Sequence, residues 1–408
     1  MATPSRHPTR RGTDLAWVSL LHVWNDGLTA GLTVLLPFIA ADLHLGYARA
    51  GLLRTAHILA MSGAQIPLAA LAGRAGERAV LGLGLAWFGG ACAALGAAAT
   101  FAIALGWVAA AGIGAGAYHP IATNRIARVA DPRGRGRAVG ALNVAGDIGK
   151  FSLPAAAGIL ATLVGWRAGI ASLGGLGAAV GLAYLWAHRH PGGDPQPSTE
   201  EPDRTRGAST WWGIHRPRAF AVMTAIGVID QGTRSAALTF LPFLLVARGF
   251  GKAEVGGLFA VMTLGGATGK FVCGWLTDLI GDRPVILTTE AVTAAGVIGL
   301  LWPHGAAVFA VYLTALGIVL NGTSSVLYAG VAALVDQVRG QRAYGVFYTI
   351  TFLGSAIAPA AYGVIADRSG LAAVFWTLGL VTITILPLAL LLPRHDFPAA
   401  APIAPGGA

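Results

Sequence analysis

An all-α membrane protein with twelve transmembrane helices, arranged as two six-helix bundles repeated in parallel, is predicted by three observations. The chain of 408 residues is 55% hydrophobic and only 11% charged, with a mean hydropathy of +0.65, whereas soluble domains carry about 25% charge. Apolar runs of about 20 residues recur along the chain, each long enough to cross roughly 30 Å of hydrocarbon as a helix. Finally, Gly, Pro and Arg positions of the first half return in the second at a constant offset of 205 residues.

The spans, in order, are expected near 14–40, 49–72, 79–99, 101–125, 137–164 and 166–187, and then 217–247, 254–280, 284–302, 305–335, 341–366 and 370–392. Arg6, Arg10 and Arg11 precede the first. They resemble the charged start of a secretory signal, but the following apolar stretch is too long and lacks a small-residue cleavage site, so it reads as an uncleaved helix. In the fourth span, Gly112 and Gly116 are one helical turn apart, and Gly265 and Gly269 repeat that spacing in the eighth. Small residues so placed let helices approach closely where lipid supplies no hydrophobic drive for association. Pro120 frees a backbone carbonyl at the end of the fourth span and should bend it. Cys92 and Cys273 fall inside spans, as small packing residues rather than a disulfide or metal pair.

A net charge of +10 could suggest a nucleic-acid partner, but its distribution argues for a lipid bilayer instead. Cations crowd the arm before span 1, the turn with Arg74 and Arg78, the loop with Arg125, Arg128, Arg133, Arg135 and Arg137, and the central segment. The opposite loops hold only Arg49, Arg167, Arg248, Lys252 and Arg368. The positive-inside rule then places both termini and the central segment in the cytoplasm of a bacterial-type inner membrane.

The repeat organises the chain. LPFIAADLHLGYARAGLL resembles LPFLLVARGFGKAEVGGLF, mapping Pro37 to Pro242, and the same offset maps Gly76 to Gly281, Gly112 to Gly317, Pro154 to Pro359 and Gly158 to Gly363. An offset of six helices is even, so the halves share one orientation about an axis along the membrane normal. The expected domains are 1–188 and 216–408, joined by a Pro- and charge-rich cytoplasmic linker over 189–215.

A parallel six-plus-six repeat resembles the major facilitator superfamily. Its loop signature is similar to GWLTDLIGDR, with Gly274, Asp278, Gly281 and Arg283; the first-half counterpart AALAGRAGER has Ala69 and Gly73 where Gly and Asp are expected, and keeps Arg74, Gly76 and Arg78. The resemblance implies an inter-bundle latch made by Arg74, Arg78, Asp278 and Arg283. Within the superfamily, HVWND, GIGAGAYHP and GRGRAVG look most like fosmidomycin resistance transporters.

Polar residues inside spans are costly, about 2.5 to 3.5 kcal/mol for an Asp or Arg at mid-membrane, and are functional by default. His22 and Asp26 lie one turn apart, beside Asn25, and form the leading proton-coupling pair, although a pair that only fixes packing is the alternative. Arg54 and His57 share a face of span 2 with Gln65, and Arg54 lies near enough to the outer end to snorkel. His119 sits at the proline break, with Asn321 near its repeat mate Ser324. Span 5 carries Asn143, Asp147 and Lys150, with Asp147 and Lys150 as a candidate salt bridge; these depart from the resistance family's more neutral segment and point to a substrate other than fosmidomycin. Asp230 and Arg234 in span 7 and Lys270 in span 8 complete the set, and Asn25 maps to Asp230 as Gln65 maps to Lys270. Asp26, His22, Asp147 and Asp230 are the proton-coupling candidates; Asn25, Arg54, His57, His119, Asn143, Lys150, Arg234, Lys270 and Asn321 are the substrate candidates. Glu290, in the ninth span, reads as an interfacial or structural acid.

Four span cations suit a small anion, a phosphonate, phosphate ester or carboxylate. The leading expectation is proton-coupled export by alternating access; uptake by proton symport is the alternative, and a non-transporting receptor or scaffold the rival of another class. No phosphate-binding loop, HExxH pair or nucleophile elbow occurs, so neither an enzyme nor a cofactor or resident metal is expected. A monomer is the expected state.

Overall fold

The computed structural model describes residues 8–130, 135–189, 214–302, 305–335 and 341–392. The first half holds α1 (Pro8–Asp42), α2 (Tyr47–Ala75), α3 (Glu77–Leu95), α4 (Phe101–Gly116), α5 (His119–Val129), α6 (Arg135–Leu163) and α7 (Gly165–Ala187). The second holds α8 (Pro217–Ala247), α9 (Lys252–Ile280), α10 (Asp282–Gly299), α11 (Ala306–Leu334), α12 (Gln341–Ser369), α13 (Leu371–Ile383) and α14 (Ile385–Leu390). These make the twelve expected spans, two of them broken. Most of the linker, the arm before Pro8 and the loop carrying Arg133 lie outside the described residues.

The α4–α5 break has a local cause. Pro120 stands in the first turn of α5 and has no N–H to give the preceding turn. The chain tightens there, with Ala117 N–H bonding Gly114 O at 3.2 Å and Tyr118 N–H bonding Ala115 O at 3.3 Å. Ten of the spans are long and apolar enough to cross a membrane by length and composition. The two that fall short, α8 and α10, carry Asp230 with Arg234 and Asp282, Arg283 and Glu290 respectively.

The offset found in the sequence reappears as geometry. Gly76 and Gly281, repeat mates, have φ of 91° and 88°, a left-handed conformation open to glycine and used to turn α2 into α3 and α9 into α10. The same contact is also made twice between the halves. A Cβ on Gly51 would lie 2.1 Å from the carbonyl oxygen of Pro359, and a Cβ on its mate Gly256 would lie 2.5 Å from that of Pro154. Gly363 against Tyr47 O (2.6 Å) is likewise repeated as Gly158 against Lys252 O (2.4 Å). Two pairs of helices, α2 with α12 and α6 with α9, thus cross backbone to backbone about a pseudo-twofold axis. Asp367 of α12 reinforces this end by accepting the Tyr47 and Ala48 N–H groups of α2 at 2.7 and 2.9 Å.

At the opposite end, where α1 begins and α7 ends, these four helices part. Gly63 and Gly73 on α2, Gly140 on α6, Gly274 on α9 and Gly345 on α12 face open space. Ile66 and its mate Phe271 are 82% and 69% exposed. The interface is closed at one end and open at the other.

Candidate functional site

Between the halves lies a cavity of about 300 Å³, lined from α1 by Asp26, Thr29 and Thr33, from α2 by Arg54, from α6 by Asp147 and Lys150, from α8 by Gln231 and Arg234, from α9 by Thr263 and Lys270, and from α11 and α12 by Asn321 and Ser355. Its position follows from the sequence period. Asp26, Thr29 and Thr33 recur at helical spacing, as do Gln231, Arg234 and Ser235, so each half turns one polar stripe inward.

Asp26 is buried and engages groups from three other positions as well as its neighbour Asn25. Its Oδ2 lies 2.7 Å from Lys150 Nζ and 3.3 Å from His22 Nε2. Its Oδ1 lies 3.3 Å from His119 Nε2 and accepts from Asn25 Nδ2 at 3.3 Å. The tautomer of His22 is set from behind. Its Nδ1 is 2.7 Å from the Leu142 carbonyl, which can only accept, so Nδ1 carries a hydrogen. With Nδ1 so engaged, Nε2 faces Asp26 Oδ2 across 3.3 Å, as an acceptor when it bears no hydrogen and as a donor when it does. A proton shared between them converts this contact into a hydrogen bond. The ring is held by Tyr118, which stacks on it at 4.7 Å and donates its own hydroxyl to Val18 O.

Asp147 forms the second ionic centre. Lys270 Nζ lies 2.8 and 3.0 Å from its two oxygens, while Lys150 Nζ is 3.4 Å away. The expected Asp147–Lys150 salt bridge is present at 3.4 Å but is the longer of two for each group: Lys150 lies nearer Asp26, and the closest cation of Asp147 comes across the interface from α9. A short turn of α6 packs against that helix, with Thr263 donating to Lys150 O at 3.0 Å. The ionic chain Lys270–Asp147–Lys150–Asp26 spans both halves.

Both arginines differ from the lysines. Among the described residues, Arg54 Nη1 is buried with no hydrogen-bond partner, and Arg234 donates to the neutral Gln231 Oε1 and to no carboxylate. Each half therefore brings to the cavity one lysine bound to a carboxylate and one arginine without a carboxylate hydrogen bond.

Several expected residues stand elsewhere. His57 is fully buried with Nδ1 3.4 Å from Val108 O and its ring beside Phe88, so it faces α3 and α4 rather than the cavity. Its spacing of three from Arg54 put the two on neighbouring faces that different partners divide. Asn143 is exposed and outside the lining. His22, Asn25 and Asp230 lie one layer behind it. The latch is not assembled: Arg74 and Asp278 are exposed with no ion-pair partner among the described residues, and Arg283 reaches Leu392 O at 3.4 Å. These residues sit at the parted end. Arg78 instead lies 3.9 Å from Asp14, beside a network the sequence did not reveal. Arg125, read as a loop cation, is 1% exposed, donates to both Asp14 oxygens at 3.0 and 2.9 Å, and approaches Glu77 at 3.4 Å. Gln231 and Thr263 were also missed, although Gln231 shows the helical spacing of three from Arg234.

His22, Asp26 and His119 place potential ligand atoms within 4.8 Å of one another. The Lys150 ammonium already occupies the near side of Asp26, which makes the cluster a better fit to a proton than to a metal ion.

The Major Facilitator Superfamily profile matches residues 18–232 and 223–407. Among curated proteins, the uncharacterized MFS-type transporter YttB of Bacillus subtilis (strain 168) is 29% identical over 155 residues, a match spanning 38% of each chain. Among solved structures, a bacterial homolog to the human lysosomal transporter Spinster, inward-facing and occupied, superposes with a TM-score of 0.76 at 17% identity, covering 95% of this chain and 97% of that one. A POT family transporter in complex with 5-aminolevulinic acid superposes with a TM-score of 0.73 at 14% identity, covering 92% and 95%.

Proposed function

The chain belongs to the Major Facilitator Superfamily and is a secondary transporter rather than an enzyme; we propose that it moves a small organic anion together with protons. The observation that carries this reading is the pairing of Asp26 with Lys150 and of Asp147 with Lys270 inside a cavity that also holds Arg54 and Arg234. Four cations face two carboxylates there, so the cavity itself favours a negatively charged guest. A phosphonate, phosphate ester or carboxylate matches the planar donor fork of an arginine from each half.

The pairing also suggests the sign of coupling. An anion that draws Lys150 toward itself leaves Asp26 buried without its cation, and a buried carboxylate in that position takes a proton rather than remain charged. Anion and proton therefore favour each other's binding, and the coupling is reciprocal. His22 and His119, both 3.3 Å from Asp26, offer the proton a route. This arrangement favours symport of anion and proton, inward under a proton gradient that is acidic outside, over export by exchange. Export of a phosphonate-like compound stays as the second reading because HVWND and YHP, the motifs shared with fosmidomycin resistance transporters, meet at Asp26.

In the proposed orientation both termini are cytoplasmic, so the parted end faces the cytoplasm and the closed end the outside. Alternating access then consists of closing the parted end, with Arg74, Asp278 and Arg283 as the candidate latch and Arg78 held toward Asp14, while the glycine crossings open. The test is internal pH in proteoliposomes exposed to phosphonates, phosphate esters and carboxylates. Symport predicts internal acidification with one chemical class, lost in Asp26→Asn. Alkalinisation on anion entry would favour the exchange reading, and equal flux in both proteins would remove Asp26 from the coupling.

A further inference from the structure

Behind Arg234, away from the cavity, two acids meet in the second half. Asp230 of α8 is 3% exposed and Glu290 of α10 is 1% exposed, and their carboxyl groups lie within hydrogen-bond reach of each other. Asp230 Oδ2 and Glu290 Oε1 are both buried and without a hydrogen-bond partner among the described residues. The other charged or titratable groups facing them are few. Arg234 stands one turn along α8 and Tyr328 approaches from α11, while Lys270 of α9 lies near Arg234 and is not among the groups that act on either acid. Tyr348 of α12 packs on Tyr328 at 5.1 Å between ring centres. The remaining neighbours are hydroxyls: Thr323 of α11 reaches Glu290 and donates to Thr289 at 2.9 Å, and Thr293 lies one turn from Glu290 with a buried, unpartnered oxygen.

Two carboxylates in contact, both ionised, would place two acceptors against each other with only Arg234 to balance two charges. One proton between them resolves both problems, because the protonated acid donates to its neighbour and leaves a single negative charge for Arg234. We propose that Asp230 and Glu290 share one proton at neutral pH and form a second proton-binding site, separate from the Asp26 network and contained in the other half. The site stands on the contact of two buried acids and not on the substrate or the direction of transport. On the transport reading above, it supplies a proton store behind the Arg234 end of the cavity.

Infrared spectroscopy of the full-length protein in lipid at neutral pH tests the assignment through the carbonyl stretch of a protonated carboxyl group and its shift in D2O. The band is expected in the native protein and in Asp26→Asn. Glu290→Gln and Asp230→Asn keep side-chain size and place an amide donor against the remaining acid, and each is expected to remove or move the band. Absence of the band from the native protein, or an unchanged band in either variant, overturns the shared-proton site. A band lost only in Asp26→Asn would also overturn it, by assigning the proton to the first half. Loss of coupled flux without any change in this band would bear on the transport reading alone.

Discussion

Gly146 shows how one missing side chain sets the chemistry of the site. A Cβ there would lie 2.7 Å from His22 Nε2 and 2.8 Å from Asp26 Oδ2, so the pair exists only because α6 is bare at that point. Gly146→Ala is expected to lower proton-coupled flux at least tenfold while moving thermal stability little, since the atoms displaced are side-chain ends. Gly149→Ala, one turn on, would press its Cβ to 2.1 Å from the backbone carbonyl of Val23, which cannot move aside alone. It is expected to cost about 1 to 3 kcal/mol of stability by overpacking. Melting temperature and flux measured on both variants separate the two; equal melting losses would show that Gly146 serves packing only. At this scale the sequence made His22, Asp26, Lys150 and Lys270 legible, because an ionisable residue within an apolar run is conspicuous by itself. It did not show Glu290, whose significance depends on Asp230 sixty residues away, nor that His57 turns from the cavity toward Phe88.

The helices of the first half owe one of their junctions to buried charge. Arg125 of α5 joins Asp14 of α1 and Glu77 of α3, and Arg128 also bonds Glu77, where α5 leaves the broken fourth span. Removing one partner of a buried ion pair leaves the other uncompensated, at about 3 to 5 kcal/mol. Arg125→Met is thus expected to lower thermal stability strongly, and Arg125→Met with Asp14→Asn to recover part of the loss. A double variant no more stable than the single one would mean that Arg125 acts through packing instead of charge. The twelve spans were readable from hydropathy, even where α8 and α10 carry charges that weaken the signal, because the repeat supplied their mates. The role of Arg125 was hidden, since a cation following a span reads as a loop charge until α1 and α3 are seen to enclose it.

The whole molecule is closed at one end by two copies of a single contact, Gly51 against Pro359 and Gly256 against Pro154. A large side chain at either glycine cannot be accommodated while that end is shut. Gly51→Trp and Gly256→Trp are each expected to shift the population toward the opposite opening, so that a cysteine introduced at the cavity residue Ala30 becomes labelled from the side now closed. Labelling unchanged in both variants would mean that these crossings are not the gate. The sequence alone determined the membrane class, the two halves and their parallel relation, because hydropathy and a constant offset are properties of the chain in one dimension. It also supplied the matched glycines and prolines at which the halves touch. Only the tertiary structure decided which end is open, that Lys150 belongs first to Asp26 and Lys270 to Asp147, and that Asp230 meets Glu290. Those outcomes depend on helices distant in sequence arriving at the same depth and facing one another, and on whether a neighbouring helix carries a side chain or a glycine at the point of approach.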